Sequence, residues 1–144
     1  DETTADVDLA DEVALQKHYL EIEAIRFPER LVSEINLPDE LATARVPGMI
    51  LQPLIENSVK YAVAPLTRPV TITIDAREDF GRLAIRVSDD GPGANDIAEH
   101  GFGIGLANVR DRLKARFGDD ATITAGPTET GYCTEIRLPL RLQG

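Results

Sequence analysis

Leu51-Gln52-Pro53-Leu54-Ile55-Glu56-Asn57-Ser58-Val59-Lys60-Tyr61 reads as a helix with an amide and an amine on one side of an otherwise apolar surface. Asn57 and Lys60 stand three residues apart, so their side chains project together. Beside them Leu51, Leu54, Ile55, Ser58 and Val59 form a broad stripe that must pack on something, and a sheet is the expected partner. Taken alone, the stretch fits an ordinary amphipathic helix with two solvated polar residues.

Two glycine clusters downstream change that reading: Asp89-Asp90-Gly91-Pro92-Gly93 and Gly101-Phe102-Gly103-Ile104-Gly105-Leu106. An Asp at the end of a buried strand can accept a hydrogen bond from the 6-amino group of adenine, and Gly91 and Gly93 let the backbone approach a base. From those residues alone a plain turn is the alternative. Gly101, Gly103 and Gly105 before a helix offer free backbone N–H groups and the positive end of a helix dipole to an anionic phosphate. Their spacing is GxGxG, outside a repeating βαβ unit, and no Gly-Lys-Ser/Thr follows, so dinucleotide-fold and phosphate-loop readings both fail. An Asn whose amide oxygen can reach Mg²⁺, with a Lys one turn on that can meet a phosphate, would then hold the other end of Mg·ATP.

These three motifs, in this order, resemble the N box, DxGxG box and GxGxGL box of the Bergerat-type ATP-binding domain of sensor histidine kinases. More narrowly, three stretches are similar to LytS-type kinases: Tyr19-Leu20-Glu21-Ile22-Glu23 followed by Arg26-Phe27, then residues 51–57, then Gly103-Ile104-Gly105-Leu106-Ala107-Asn108-Val109-Arg110-Asp111-Arg112-Leu113. The likeness runs from about residue 9 to residue 140. It implies Mg²⁺ on Asn57, a triphosphate contact at Lys60, adenine on Asp89, and phosphate cradled by the glycine loop with Ile104 and Leu106. Tyr61 would line the nucleotide or be a half-buried aromatic at a helix end. Glu56 would polarise an attacking imidazole, reach Mg²⁺ through water, or simply pair with an Arg.

The resemblance further implies γ-phosphoryl transfer from Mg·ATP to a histidine on a dimerisation hairpin, and a downstream response regulator as partner. The full-length protein would be a homodimer and this fragment monomeric. The acceptor stretch of the family is absent, so neither His18 nor His100 is expected to be the phosphoacceptor. Pro53 stands where related ATPases carry a catalytic Glu, which leaves binding without rapid hydrolysis as the expectation. A switch-type serine kinase and a non-catalytic nucleotide-binding module are the rival readings.

Length and composition agree with one soluble domain: 144 residues, 42% hydrophobic and 28% charged, with no apolar run near the roughly 20 residues of a membrane helix. The lone Cys133 suits a reducing, cytoplasmic setting. Of the net charge of −10, residues 1–40 with 12 acids and 3 bases supply most, which argues against a nucleic-acid surface. The chain begins at Asp1 and has Met49 as its only Met, as expected of a piece of a longer protein, soluble or membrane-anchored as a whole. Residues 1–28 are expected to link from the missing hairpin, and residues 29–144 to form the catalytic domain.

The remaining elements follow from periodicity. Leu9, Val13, Leu15, Tyr19, Leu20, Ile22 and Ile25 predict a helix with Asp8 as N-cap, ended by Pro28. Residues 30–37 alternate as a strand, residues 38–46 read as a polar connection, and Pro47 suits the first turn of a helix in which Pro53 would bend the axis. Strands over 70–77 and 83–89 flank a turn at Glu78-Asp79-Phe80-Gly81, residues 94–100 form a short link, Gly118 caps a helix begun at Gly105, and strands over 121–125 and 132–138 finish the chain. The order composes a two-layer α/β sandwich, a mixed sheet with helices on one face.

Overall fold

The computed structural model describes residues 5–91 and 103–142. Its elements are β1 (Asp6–Asp8), α1 (Leu9–Arg26), β2 (Leu31–Asn36), β3 (Arg45–Pro47), α2 (Gln52–Ser58), β4 (Val70–Asp79), β5 (Arg82–Asp89), α3 (Ile104–Phe117), β6 (Thr122–Pro127) and β7 (Tyr132–Pro139). Five strands form one sheet in the order β2-β4-β5-β7-β6, with β2 parallel to β4 and the other pairs antiparallel. This is the expected mixed sheet. The β4–β5 hairpin closes on Phe80 and Gly81, both at positive φ, 54° and 78°, the backbone that two-residue turns require.

Strand alternation sorts the two faces. Val70, Ile72, Ile74, Leu83, Ile85, Val87, Ile136 and Leu138 are buried, and they share one core with Leu9, Val13 and Leu20 of α1, Leu54 and Ile55 of α2, and Leu106, Val109 and Leu113 of α3. Thr71, Thr73, Arg86, Glu135 and Arg137 lie on the opposite face. The helices therefore cover one side of the sheet.

Four local expectations are corrected. The buried face of α1 is Leu9, Glu12, Val13, Gln16, Leu20 and Glu23, whereas Leu15, Ile22 and Ile25 are exposed, Ile25 at 79%. Periodicity missed this because three buried positions are polar. Asp8 occupies the N-cap position without capping; its carboxylate accepts instead from Arg45 Nη1 at 2.7 Å. Residues 38–46 are more than a polar link, since Leu41, Ala44 and Val46 are buried and β3 pairs with β1 as a two-stranded ribbon.

The prolines exchange roles. Pro47 belongs to β3, and Pro53 is the second residue of α2, where a missing N–H costs no helical bond. The irregularity comes later: Val59–Val63 is a π-helical turn, closed by Ala64 N donating to Val59 O at 2.9 Å.

Candidate functional site

Asp89 arrives at the end of β5 with its side chain on the helix-covered face, 6% exposed. Its Oδ1 accepts from Gly91 N at 3.0 Å, and the Ser58 hydroxyl of α2 also hydrogen-bonds the carboxyl. Its Oδ2 is buried with no protein partner. Burial pushes the carboxyl up to about 6; the Gly91 and Ser58 bonds pull the other way and Asp90 adds repulsion. A buried acceptor left open costs free energy unless something donates to it.

Asn57 is adjacent to Ser58, so the hydroxyl that reaches Asp89 also brings the Asn57 helix to the strand end. Asn57 is half-buried and its Nδ2 has no partner. Glu56 is exposed and accepts weakly from Gln52 Nε2 at 3.3 Å. Lys60 is exposed on the π-helical turn, its ammonium 5.1 Å from the centroid of the half-buried Tyr61 ring.

The third part is the start of α3. Gly103 is its N-cap residue and makes no side-chain cap, so the first-turn N–H groups are the helix's free donors. A Cβ on Gly105 would lie 3.7 Å from Pro53 Cβ, which places this helix start against the first turn of α2. Ile104 is 83% exposed, whereas the Leu106 side chain is buried in the core. Gly93 and Gly101, with His100, lie outside the described residues.

Sequence reasoning missed two supports, Ser58 and Gly131, and gave Gly91 a different role, close approach to a base. Ser58 read as one more residue of a packing stripe. Gly131 read as a turn residue, yet a Cβ there would come within 1.9 Å of the Asp89 carbonyl oxygen, so the β6–β7 turn backs directly onto the strand end. A Cβ on Gly91 would come within 2.6 Å of Ala62 Cβ, so this glycine permits the π-helical turn to close on the Asp89 loop. Asp90 faces away: its Oδ1 accepts from Thr71 N at 2.8 Å and its carbonyl from Arg68 Nη2 at 2.7 Å, tying the loop to β4. A cavity of about 480 Å³ on the polar sheet face, lined by Thr71, Thr73, Arg86, Ser88 and Cys133 among others, includes neither Asn57 nor the α3 start.

α2 packs against both β5 and α3, so the Asp89 carboxylate, the Asn57 helix and the start of α3 lie on neighbouring elements, with Lys60 exposed on the turn after α2. The chain is 40% identical over 139 residues to the sensor histidine kinase YesM of Bacillus subtilis, a match covering 94% of this chain and 24% of that protein. It is 29% identical over 136 residues to the sensor protein LytS of Oceanobacillus iheyensis, covering 85% of this chain and 23% of that one. It thus spans about a quarter of the length of these relatives. Among solved structures, the histidine kinase ThkA in complex with the response regulator protein TrrA superimposes with a TM-score of 0.67 at 18% identity, over 96% of this chain and 42% of that one. Residues 44–142 match the family described as histidine kinase-, DNA gyrase B-, and HSP90-like ATPase. With residues 44–142, more than half of its length, matched and its mixed sheet in agreement, this chain belongs to that family.

Proposed function

We propose that the chain is the catalytic, ATP-binding domain of a LytS-type sensor histidine kinase, transferring the γ-phosphoryl group of Mg·ATP to a histidine on a separate dimerisation hairpin. The observation that carries this is the open, buried Oδ2 of Asp89, held beside the Asn57 helix through Ser58. Asp89 accepts the adenine amine, the first-turn N–H groups of α3 receive phosphate oxygens, and Lys60 adds a point charge. Glu56 beside Asn57 is the acid available to orient an incoming imidazole.

Among the described residues, no three His, Cys, Asp or Glu side chains assemble a metal cage. A single amide such as Asn57, completed by phosphate oxygens and waters, is a donor set that suits Mg²⁺ shared with a nucleotide. When bound, the ion supplies charge neutralisation on the phosphates. Positioning and electrostatics are the chain's contribution, and Pro53 has no group to activate water.

In the whole protein, residues 1–28 would connect from the hairpin to a catalytic domain over 29–144, a response regulator would take the phosphoryl group, and the dimer would form outside this chain, in the cytoplasm. Titration calorimetry tests the core of the proposal. ATP should bind more tightly in Mg²⁺ than in chelator, Asn57→Ala should remove that difference at a cost of about 1.5 to 3 kcal/mol, and GTP should bind poorly because its oxo group faces the Asp89 carboxylate. Equal ATP affinity with and without Mg²⁺ removes Asn57 from the site; equal affinity for ATP and GTP removes Asp89.

A further inference from the structure

Glu12 points from α1 into the core at 2% exposure, and both of its oxygens are used. Oε1 accepts from Met49 N at 2.8 Å and Oε2 from Leu51 N at 2.9 Å. These two amides lie immediately before α2, whose N-cap position is Leu51, a residue with no side-chain oxygen to offer. A helix start leaves backbone donors unsatisfied, and here a carboxylate from another helix takes one of them.

The same loop holds Met49 at φ 65°, a left-handed conformation that a side chain with a Cβ adopts at a cost. From the other side, Arg112 Nη2 of α3 donates to Gly48 O at 2.9 Å. Residues 48–51 are therefore gripped by α1 and by α3, the helix whose first turn is proposed above to receive the phosphate. From Leu51 to Asn57 is under two helical turns, so a shift at the start of α2 reaches the amide with little room to be absorbed.

We infer that Glu12 is a positioning residue for Asn57: by fixing Met49 and Leu51 it sets where α2 starts and so where its amide meets the metal–nucleotide. The inference rests on the reading of Asn57 given above. It also makes α1 the element through which a displacement from upstream reaches the ATP site.

The test is the ratio of ATP affinities in Mg²⁺ and in chelator, measured by calorimetry for the wild-type chain, Glu12→Gln, Asn57→Ala and Leu138→Ala. Glutamine keeps the size but replaces one acceptor with a donor, so one backbone bond is lost. Leu138 is buried on β7 opposite Leu83, at the strand end away from Asp89, and its truncation supplies a destabilised chain with an undisturbed loop. Glu12→Gln should lower the ratio about tenfold while its preference for ATP over GTP persists. Leu138→Ala should melt earlier and keep the wild-type ratio. Glu12→Asp, with both acceptors on a shorter side chain, should lose less in the same direction, and it provides the measurement should the Gln variant not fold. An unchanged ratio in the Glu12 variants, an equal loss in Mg²⁺ and in chelator, or the same drop in Leu138→Ala overturns the inference. A wild-type chain without Mg²⁺ dependence overturns it too, and places the failure in the Asn57 assignment.

Discussion

A carboxyl that titrates at about 6 when folded, against an ordinary 3.8, binds its proton more tightly in the native state. For Asp89 the sign follows: the free chain should lose stability as pH rises from about 4 to about 6, with no further loss above. An adenine amine donating to Oδ2 favours the ionised carboxylate, so ATP affinity should rise with pH across that window and binding should release protons there. Calorimetry in two buffers of different ionisation enthalpy, comparing wild type with Asp89→Asn, measures this; equal proton release in both would remove Asp89 from the site. Asp89→Asn should also weaken ATP by about ten- to a hundredfold at neutral pH. The glycines separate by what surrounds them. Gly131→Ala and Gly91→Ala force a Cβ into backbone or side-chain atoms at 1.9 and 2.6 Å and should cost about 1 to 3 kcal/mol or more by denaturant melts. Among the described residues nothing lies within 4 Å of a would-be Cβ on Gly103, and its φ is negative, so Gly103→Ala should fold normally, and a weakening of ATP in a variant that melts like wild type then reports a ligand contact.

At the scale of elements, α2 is a short helix that starts late and loosens early. Pro53 sits in its first turn, so Pro53→Ala should change stability by less than about 1 kcal/mol, through the unfolded chain, and should not stabilise as relief of a mid-helix kink would. The π-helical turn that follows brings Ala62 against Gly91 and displays Lys60 to solvent, coupling the helix to the Asp89 loop by packing. For α1, Leu20→Ala should cost about 2 to 5 kcal/mol because Leu20 is 1% exposed, while Ile25→Ala at 79% exposure should cost under about 0.5 kcal/mol. Comparable losses at both positions would mean that a partner covers the outer face of α1.

Across the whole molecule, the proposed site is a junction of α2, β5 and α3 on the helix-covered face of the sheet. His18 is exposed on α1, which enters the core by its opposite face, and it belongs to none of the three converging elements. Incubation of the chain with γ-labelled ATP and Mg²⁺ should therefore leave it unlabelled, with acid-labile phosphate appearing only when an acceptor hairpin is added in trans. Label on His18 or His100, or on serine of a partner, would replace the proposed reaction with another.

The strands of the sheet, α3 and the position of Asp89 at a strand end were legible in the sequence because each is a local pattern: apolar alternation over 70–89, a 3.6-residue stripe over 106–117, and aspartate before glycine where the alternation stops. Three things were decided by tertiary structure. Glu12, Gln16 and Glu23 are buried on α1, Glu12 through bonds to a segment nearly 40 residues away, which no periodicity of apolar residues can announce. The start of α2 moved from Pro47 to Gln52 because β3 pairs with β1 and Glu12 holds the loop between, bonds spanning nearly 40 residues. The approach of Gly131 to Asp89 and of Gly91 to Ala62 exists only once two strand ends and a helix meet, and steric exclusion across that meeting point, more than turn chemistry, is what those glycines serve.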